Sequence, residues 1–533
     1  MDPSAARHTP AINQHAAAEP ERDPPAVEDC VVAVDIGTTK VCAVVGRRND
    51  LQQMEILGHA SVPCDGVQRG VVVNIHKTTA AISSAVERAA RLSGVPIASA
   101  NVGIAGQHIS SSQNYNIINR EDHTAEITQA DLDTLTQTMR KLPLKPGEAI
   151  LHIIAQDYSV DDEWGIDEPI GMCGGRLGAN FHIITCQNAA SANIVRAAAN
   201  AQLEVNRLML EPIASAASVL TEADKRDGVA LVDIGGGTTD ITIFADGRIT
   251  HTCVIPFGGD VVTSDIRQVF RITLDDAERL KTSYGNAINA EAEDRVYLLP
   301  NRRGSDHTEI EDHELAGVIE ARVTEILNYV DYQITASNAR DRLQGGIVLT
   351  GGGSLLRNID RLAELHTGIP TRIGFPVEHL AQGYPGELSS PVFATAIGLL
   401  VGADDSEDDA TSQQFLRQTV NVNQFRGEGV NGPSQVLPKG SPGRLLPTPD
   451  GTAVAKTATA STAAGVTGGA AAAVATAPDA TSAAAPVAAT EVVSLAPSPS
   501  AEPTLGERAS RGLGNVLDRV KEWFDGEDDV DLD

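Results

Sequence analysis

Between Cys30 and about Gly402, short apolar runs alternate with stretches whose apolar residues recur every three or four positions. VVAVDIG (31–37), KVCAVVG (40–46) and MEILGHASV (54–62) are short, rich in Val and Ile, and bounded by turn residues, which predicts strands. KTTAAISSAVERAARLSG (77–94) has helical periodicity and stops at a glycine, and ANVGIAG (100–106) again reads as a strand. Strand and helix in alternation predict an α/β architecture.

One block breaks the rhythm. From about residue 100 to 188 a polar stretch, the helical pattern ITQADLDTLTQTMRKLP and the strand-like AILHIIAQDYSV and FHIITC predict an inserted subdomain, after which the α/β pattern resumes. Residues 1–29 lack periodicity and hold several prolines, so they are expected to form a flexible arm. Beyond Gly402 the chain turns acidic and then runs through ATASTAAGVTGGAAAAVATAPDATSAAAPVAAT, where interleaved Thr, Gly and Pro predict a disordered linker over 403–510. About 100 such residues have an r.m.s. reach on the order of 50–60 Å.

The pattern returns once more, at residues 511–525. At 100° per residue, Leu513, Val516, Leu517, Val520, Trp523 and Phe524 fall within a stripe about 120° wide, with charged residues on the other face. A helix of about twelve residues is marginal alone in water, so it should order mainly on a surface. Against a bilayer the binding would be weak and reversible, driven more by Trp523 and Phe524 than by charge. The acidic tail 526–533 opposes anionic headgroups.

Hydrophobic residues make up 42% of the chain but aromatics only 3%, so the core must be aliphatic. A formal net charge of -30 and the lack of a basic stripe argue against a nucleic-acid partner. The six cysteines form no C-x-x-C pair, which suits reduced thiols, and the thirteen histidines show no metal-binding spacing. With no apolar h-region at the start and no uncharged apolar run of about 20 residues, the chain is expected in the cytoplasm.

Candidate chemistry comes from three glycine turns. VAVDIGTTKVCAVV (32–45) and ALVDIGGGTTDITIF (230–244) look like copies of one device: strand, Asp, small-residue turn, strand. Gly37, Gly235, Gly236 and Gly237 let backbone approach a phosphate, and successive N–H groups in such turns form an anion nest. Thr38, Thr39, Thr238 and Thr239 add hydroxyl donors. Asp35 and Asp233 cannot face phosphates without a cation between, which implies Mg²⁺ held largely through water. Lys40 suits phosphate neutralisation and a surface position equally. The third turn is GGIVLTGGGSLL, with Gly351, Gly352 and Gly353 between a strand and a helix.

In this order the turns resemble phosphate loop one, phosphate loop two and the adenosine loop of the actin, Hsp70 and sugar-kinase ATPases. LEPIASAAS (210–218) resembles that superfamily's first connecting helix, which puts Glu211 where the attacking water is oriented. The spacing from Asp233 to Asp240 is similar to that of the Hsp70 second phosphate loop; with Glu211, the resemblance makes these two aspartates the catalytic candidates. AERLKTSYG resembles the helix whose acidic and basic residues, here Glu278 and Lys281, touch ribose and adenine. FATAIGLL (393–400) resembles the second connecting helix, where Ala394 and Gly398 would permit close packing.

Within the superfamily, GVQRGVVVNI, VGIAGQHISSSQN, VDIGGGTTDITIF, IPFGGDVVTSDI, AERLK and IVLTGGGSLL resemble the FtsA family of bacterial cell-division proteins over nearly all of residues 30–402. The resemblance implies an actin-like two-lobed ATPase fold built from duplicated RNase H-like domains. Its parts would be subdomain 1A at 30–99 and 189–205, the FtsA-type 1C insertion at 100–188, subdomain 2A at 206–261 and 341–402, and 2B at 262–340. It further implies ATP and Mg²⁺ as cofactors, slow hydrolysis at most, and filaments of the chain with itself. The C-terminal peptide of FtsZ would dock on 2B, where Arg302, Arg303 and Arg322 are candidates unless they are ordinary solvated arginines. Later division proteins would bind 1C, and the terminal helix would hold the assembly peripherally on the cytoplasmic membrane at the division site. Three rivals share the ATPase fold: a pilus-assembly adaptor, a small-molecule kinase and a chaperone. The kinase would need a substrate Asp and further insertions; the chaperone would need a β-rich peptide-binding domain in place of the Ala/Thr-rich tail.

Overall fold

A computed structural model describes residues 30–300, 307–402 and 414–417. The chain divides into Met1–Leu437 and Pro438–Asp533, and every described residue belongs to the first unit. The N-terminal arm, Arg302, Arg303, the Ala/Thr/Pro tract, the six apolar residues of the terminal stripe and the acidic tail lie outside the described residues.

The first lobe opens with an antiparallel meander, β1 (Cys30–Ile36), β2 (Lys40–Arg48) and β3 (Met54–Pro63). The two-residue strands β4 (Val67–Gln68) and β5 (Val71–Val72) pair with each other and lead into α1 (Ile75–Ser93). Helix α1 starts where the Asn74 side chain accepts from Lys77 N and ends at Gly94, whose φ of 71° is the left-handed cap. Its buried residues, Thr78, Ala81, Ile82, Ala85, Val86 and Ala89, follow the helical period. Strand β6 (Ser99–Ile104) then pairs parallel to β1.

Next comes the insertion: β7 (Ile109–Asn119), α2 (Gln129–Met139), β8 (Glu148–Val160), β9 (Glu163–Ile166) and β10 (Arg176–Gln187), which form a separate sheet in the order β7-β10-β8-β9. Leu132, Leu135 and Met139 of α2 pack on Ile153, Leu177, Phe181 and Ile183 of that sheet. The polar stretch before α2 is itself a strand. β7 pairs along its whole length with β10, and Ser111 and Gln113 donate to the carbonyls of Thr252 and Thr250. Its polar side chains hide the period-two signal because they bond backbone carbonyls across the interface, as Ser111 and Gln113 do, or a hydroxyl of α2, as Asn116 does.

Helix α3 (Asn188–Asn200) and β11 (Glu204–Leu210), parallel to β6, complete the first sheet in the order β11-β6-β1-β2-β3. Helices α4 (Glu211–Val219) and α5 (Glu222–Asp227) lead into the second lobe. There β12 (Val229–Ile234), β13 (Thr239–Ala245) and β14 (Arg248–Ile255) repeat the meander. A helical region follows, with α6 (Gly259–Phe270), α7 (Leu274–Tyr284), the paired β15 (Val296–Pro300) and β16 (His307–Glu311), and α8 (Asp312–Ala336). Then β17 (Ile347–Thr350), α9 (Ile359–Thr367), β18 (Thr371–Ile373) and α10 (Ala394–Val401) close the fold.

The second sheet, β14-β13-β12-β17-β18, has the order and strand directions of the first. The chain is thus duplicated, and each lobe carries its own addition. The insertion leaves the first lobe after β6, where the second lobe has the Gly351–Gly353 turn after β17. Apolar runs in β1 and β2 are continuous because both faces are covered. Val34, Ile36, Val41, Ala43 and Val45 belong to the core with α1 and α3, while Ala33, Cys42 and Val44 belong to the core with α10.

Several expected boundaries move. Residues 100–104 belong to β6 of the first-lobe sheet, so the insertion begins at Ile109 and not at 100. The boundary at 206 falls inside β11, whose pairing with β6 keeps the first lobe intact to Leu210, and 262 falls inside α6. The expectation of a disordered linker starting at 403 is also corrected at 414–417. Phe415 and Leu416 are 1% and 8% exposed and join the first-lobe core.

Helices α4 and α10 cross at the junction of the lobes. The backbone of Ala214 sits where a side chain at Gly398 would begin, as the small residues at 394 and 398 suggested. Ser218 Oγ donates to Ala394 O at 2.7 Å across the same crossing. Among the described residues no helix is long and apolar enough to cross a membrane.

Candidate functional site

The two aspartate turns are equivalent in three dimensions. In one hairpin Asp35 lies opposite Cys42, and in the other Asp233 lies opposite Asp240. Each turn closes with one backbone bond, Gly37 N to Lys40 O at 3.0 Å and Gly235 N to Thr238 O at 2.9 Å. The turns face each other from opposite lobes. A Cβ at Gly236 would meet Thr39 Cγ2, and one at Gly237 would lie 2.6 Å from Thr38 Oγ1. Glycine is required at 236 and 237 by this approach across the cleft, not by φ.

Four carboxylates converge beneath the turns, those of Asp35, Asp233 and Asp240 buried and that of Glu211 half-buried. Burial pushes the Asp35 carboxyl up to about 6, with Lys40 opposing and Asp233 adding. Asp240 is raised to about 8 by burial and by Asp233, although Thr238 Oγ1 donates to it at 2.9 Å. Glu211, first residue of α4, is held well above the usual carboxylate range by burial and then by Asp35, Asp240 and Asp233. Asp233 is raised by burial, against the hydrogen bonds of two hydroxyls. Ser215 Oγ donates to its Oδ2 at 2.6 Å, and Thr395 Oγ1 at 3.4 Å. These hydroxyls, from α4 and α10, were missed in the sequence because they sit in runs of small residues that read as helix packing.

Lys40 is not a free surface lysine. Its Nζ donates to Val392 O at 2.6 Å and lies 4.3 Å over the Phe393 ring, while still near enough to Asp35 and Asp233 to oppose their rise. Thr239 is a correction: its hydroxyl donates to Phe257 O at 2.8 Å and is fully buried, so it anchors the start of β13 and does not face the cleft.

A cavity of about 400 Å³ opens beside the turns, lined by Thr39, Gly235, Gly236, Glu278, Lys281, Gly352 and Gly353. It brings together residues of all three glycine motifs. Lys281 Nζ bonds Gly259 O at 3.0 Å and pairs with Glu278 Oε2 at 2.8 Å, which fixes both side chains on the cavity wall. Gly351 has φ 79° and a Cβ there would meet Asp233 Oδ1, so the third turn is built directly on the second aspartate.

Arg322 is the other correction. Its side chain is only 12% exposed and its guanidinium is shared between Asp265 and Glu325, so its charge is already neutralised within the helical region and is not free for an acidic partner.

The carboxylates suit a hard divalent cation. They are oxygen donors, their charged forms are disfavoured without one, and Asp240 Oδ1 is buried with no hydrogen-bond partner. Among the described residues no three acidic, His or Cys groups are placed to grip an ion directly, so Mg²⁺ there would be held mostly through water.

Residues 230–398 match the family described as cell division protein FtsA, and residues 106–185 match the SHS2 domain inserted in FtsA. The chain is 39% identical over 383 residues to the cell division protein FtsA of Pseudomonas aeruginosa, covering 72% of this chain and 91% of that one. It is 34% identical over 400 residues to that of Escherichia coli K12, covering 74% and 94%. With that of Borreliella burgdorferi it shares 34% over 373 residues, covering 70% and 90%. Among solved structures, the PilM–PilN type IV pilus biogenesis complex superposes with a TM-score of 0.51 at 16% identity, over 70% of this chain and 98% of that one, a likeness of fold alone.

Proposed function

Because this chain belongs to the FtsA family and is an actin-like cell-division protein, we propose that it closes its lobes on ATP and Mg²⁺, assembles with further copies of itself, and holds FtsZ at the cytoplasmic face of the membrane. The observation that carries the nucleotide reading is the pair of equivalent aspartate turns facing each other from opposite lobes beside a cavity. The relatives favour this over a pilus adaptor, with which only the fold is shared.

In this reading the N–H groups at 38–39 and 236–237, between the two bonds that close the turns, bind phosphate oxygens, and the Gly351–Gly353 turn with Glu278 and Lys281 frames the nucleoside. A bound Mg²⁺ would supply positive charge between the phosphates and Asp35 and Asp233. Ser215 and Thr395 orient Asp233 from the two crossing helices, so the carboxylate and the α4–α10 junction share a position. Glu211, held well above the usual carboxylate range by burial and by the three neighbouring aspartates, would orient the attacking water. Turnover is expected to be slow at most, as suits an assembly switch.

Asp233→Ala removes the residue bonded by both helices and is expected to weaken MgATP binding at least tenfold by titration calorimetry. Unchanged affinity would sink the site assignment.

The membrane and FtsZ parts of the proposal rest on the family and on the apolar stripe at 513–524. Their test is co-sedimentation with anionic vesicles. The full chain should carry FtsZ into the pellet, and FtsZ lacking its C-terminal peptide should stay in solution. Trp523→Glu should leave both proteins in the supernatant, and its retention on vesicles would refute the anchor.

A further inference from the structure

The fold closes at α10, yet one element follows it. Residues 414–417 form a single helical turn in which Gln414 and Arg417 are exposed and Phe415 and Leu416 are buried. Phe415 is among the largest fully buried side chains of the described residues. Both apolar residues join the core that contains Ala81, Ile82 and Val86 of α1 and Ile194 and Ala197 of α3. Helix α10 packs on the other face of the same sheet, with Ala33, Cys42 and Val44. Helix α10 and the turn at 414–417 therefore belong to cores on opposite faces of the first-lobe sheet.

We propose that residues 414–417 are a reversible clasp, which makes the C-terminal tail leave the body from the α1/α3 face of the first lobe and not from the end of α10. The residues before it are strongly acidic, and among the described residues beyond Gly402 Phe415 and Leu416 are the apolar ones, so they supply the contact. Two buried side chains set against the ordering of this turn and the closure of the segment from 403 leave a small balance, which makes opening accessible.

The clasp separates the tail from the nucleotide site. Helix α10 crosses α4 at Gly398 and carries Thr395, which bonds Asp233. A pull on a tail rooted at Gly402 would act on that crossing. Rooted at Arg417, the same pull is received by the first-lobe core. Opening the clasp would move the root of the tail from Arg417 back to Gly402, at most roughly 50 Å of extended chain.

The test is brief native trypsin digestion of the full chain, read by mass spectrometry. Cleavage after Arg417 requires the clasp to open, and the cut after Arg426, nine residues further on, serves as the internal reference. Phe415→Ser is expected to speed the cut after Arg417 at least tenfold and leave that after Arg426 unchanged, with a smaller gain for Leu416→Ser. Hydrogen exchange should show weaker protection in α1 and α3 and unchanged protection in α4 and α10. Equal cleavage after Arg417 in the wild type and Phe415→Ser overturns the clasp. So does protection that falls equally throughout both lobes, which would make Phe415 an ordinary core residue.

Discussion

Gly398→Val is expected to leave no stably folded two-lobed body. A Cβ at this position would overlap the carbonyl oxygen and carbon of Ala214, which are backbone atoms of a facing helix and cannot rotate away. To admit it, α10 must lift from α4. That would break Ser218 to Ala394 O and the Ser215–Thr395 hydroxyl contact, and would open the core around Ile397, Leu399 and Leu400. Overpacking alone costs about 1–3 kcal/mol. Once a cross-helix hydrogen bond is broken and apolar side chains of α10 meet water, the total should exceed about 4 kcal/mol, a large part of the roughly 5–15 kcal/mol of a typical domain. Gly398→Ala carries the same Cβ and should be nearly as damaging. Gly402→Ala is the control, because its nearest neighbour is the flexible end of Met209 at 3.1 Å, and it should cost less than about 1 kcal/mol. Thermal unfolding distinguishes them, and a Gly398→Val chain that melts like the wild type would disprove the close crossing.

The second large effect is a dependence of stability on pH that Asp240→Asn reduces. The carboxyls of Asp35 and Asp240, raised to about 6 and about 8, hold protons in the folded nucleotide-free chain at pH values where the unfolded chain has released them. Stability from these groups is complete below the ordinary carboxylate pKa and is lost as pH rises through about 6 and then about 8. Glu211 acts in the same direction. His108 and His182, pushed down to about 4 by burial, act oppositely, but only below their ordinary value of 6.5. The window from pH 6.5 to 8.5 therefore reports the carboxylates. There the slope from one titrating group approaches about 1.4 kcal/mol per pH unit, so Asp240 should account for about 2 kcal/mol. Asparagine at 240 keeps the shape without the charge and should flatten the decline in melting temperature measured in EDTA. MgATP should flatten it too, by stabilising the ionised cluster. A wild-type chain equally stable at pH 6.5 and 8.5 without nucleotide would show that the four carboxylates are not burdened as described.

Much of the fold was legible because it is locally encoded. Strands β1, β2, β3 and β6 and helix α1 follow from apolar period and bounding turns, and the two aspartate hairpins show as near-copies. Strand β7 was not legible as a strand, since its Ser and Asn side chains meet solvent, α2 or carbonyls of the second lobe. Asp35, Asp233 and the glycine turns were found from their order, but the orienting pair Ser215 and Thr395 was not. Small polar residues in an Ala-rich helix carry no sign of which acid they will meet.

By itself, then, the sequence determined the devices whose parts are neighbours along the chain: each Asp-turn hairpin, the small residues of α10, the helical caps and the apolar stripe near the C-terminus. Only the tertiary structure decided which of these meet. It set the two turns face to face, brought four carboxylates together beneath them, turned Thr239 inward, neutralised Arg322 with Asp265 and Glu325, and carried Phe415 to the far face of the first sheet. The physical reason is separation along the chain. A period or a turn is set by contacts a few residues apart and leaves a pattern in the order of residues, whereas a contact between residues tens to hundreds apart is chosen by the packing of whole elements and leaves none.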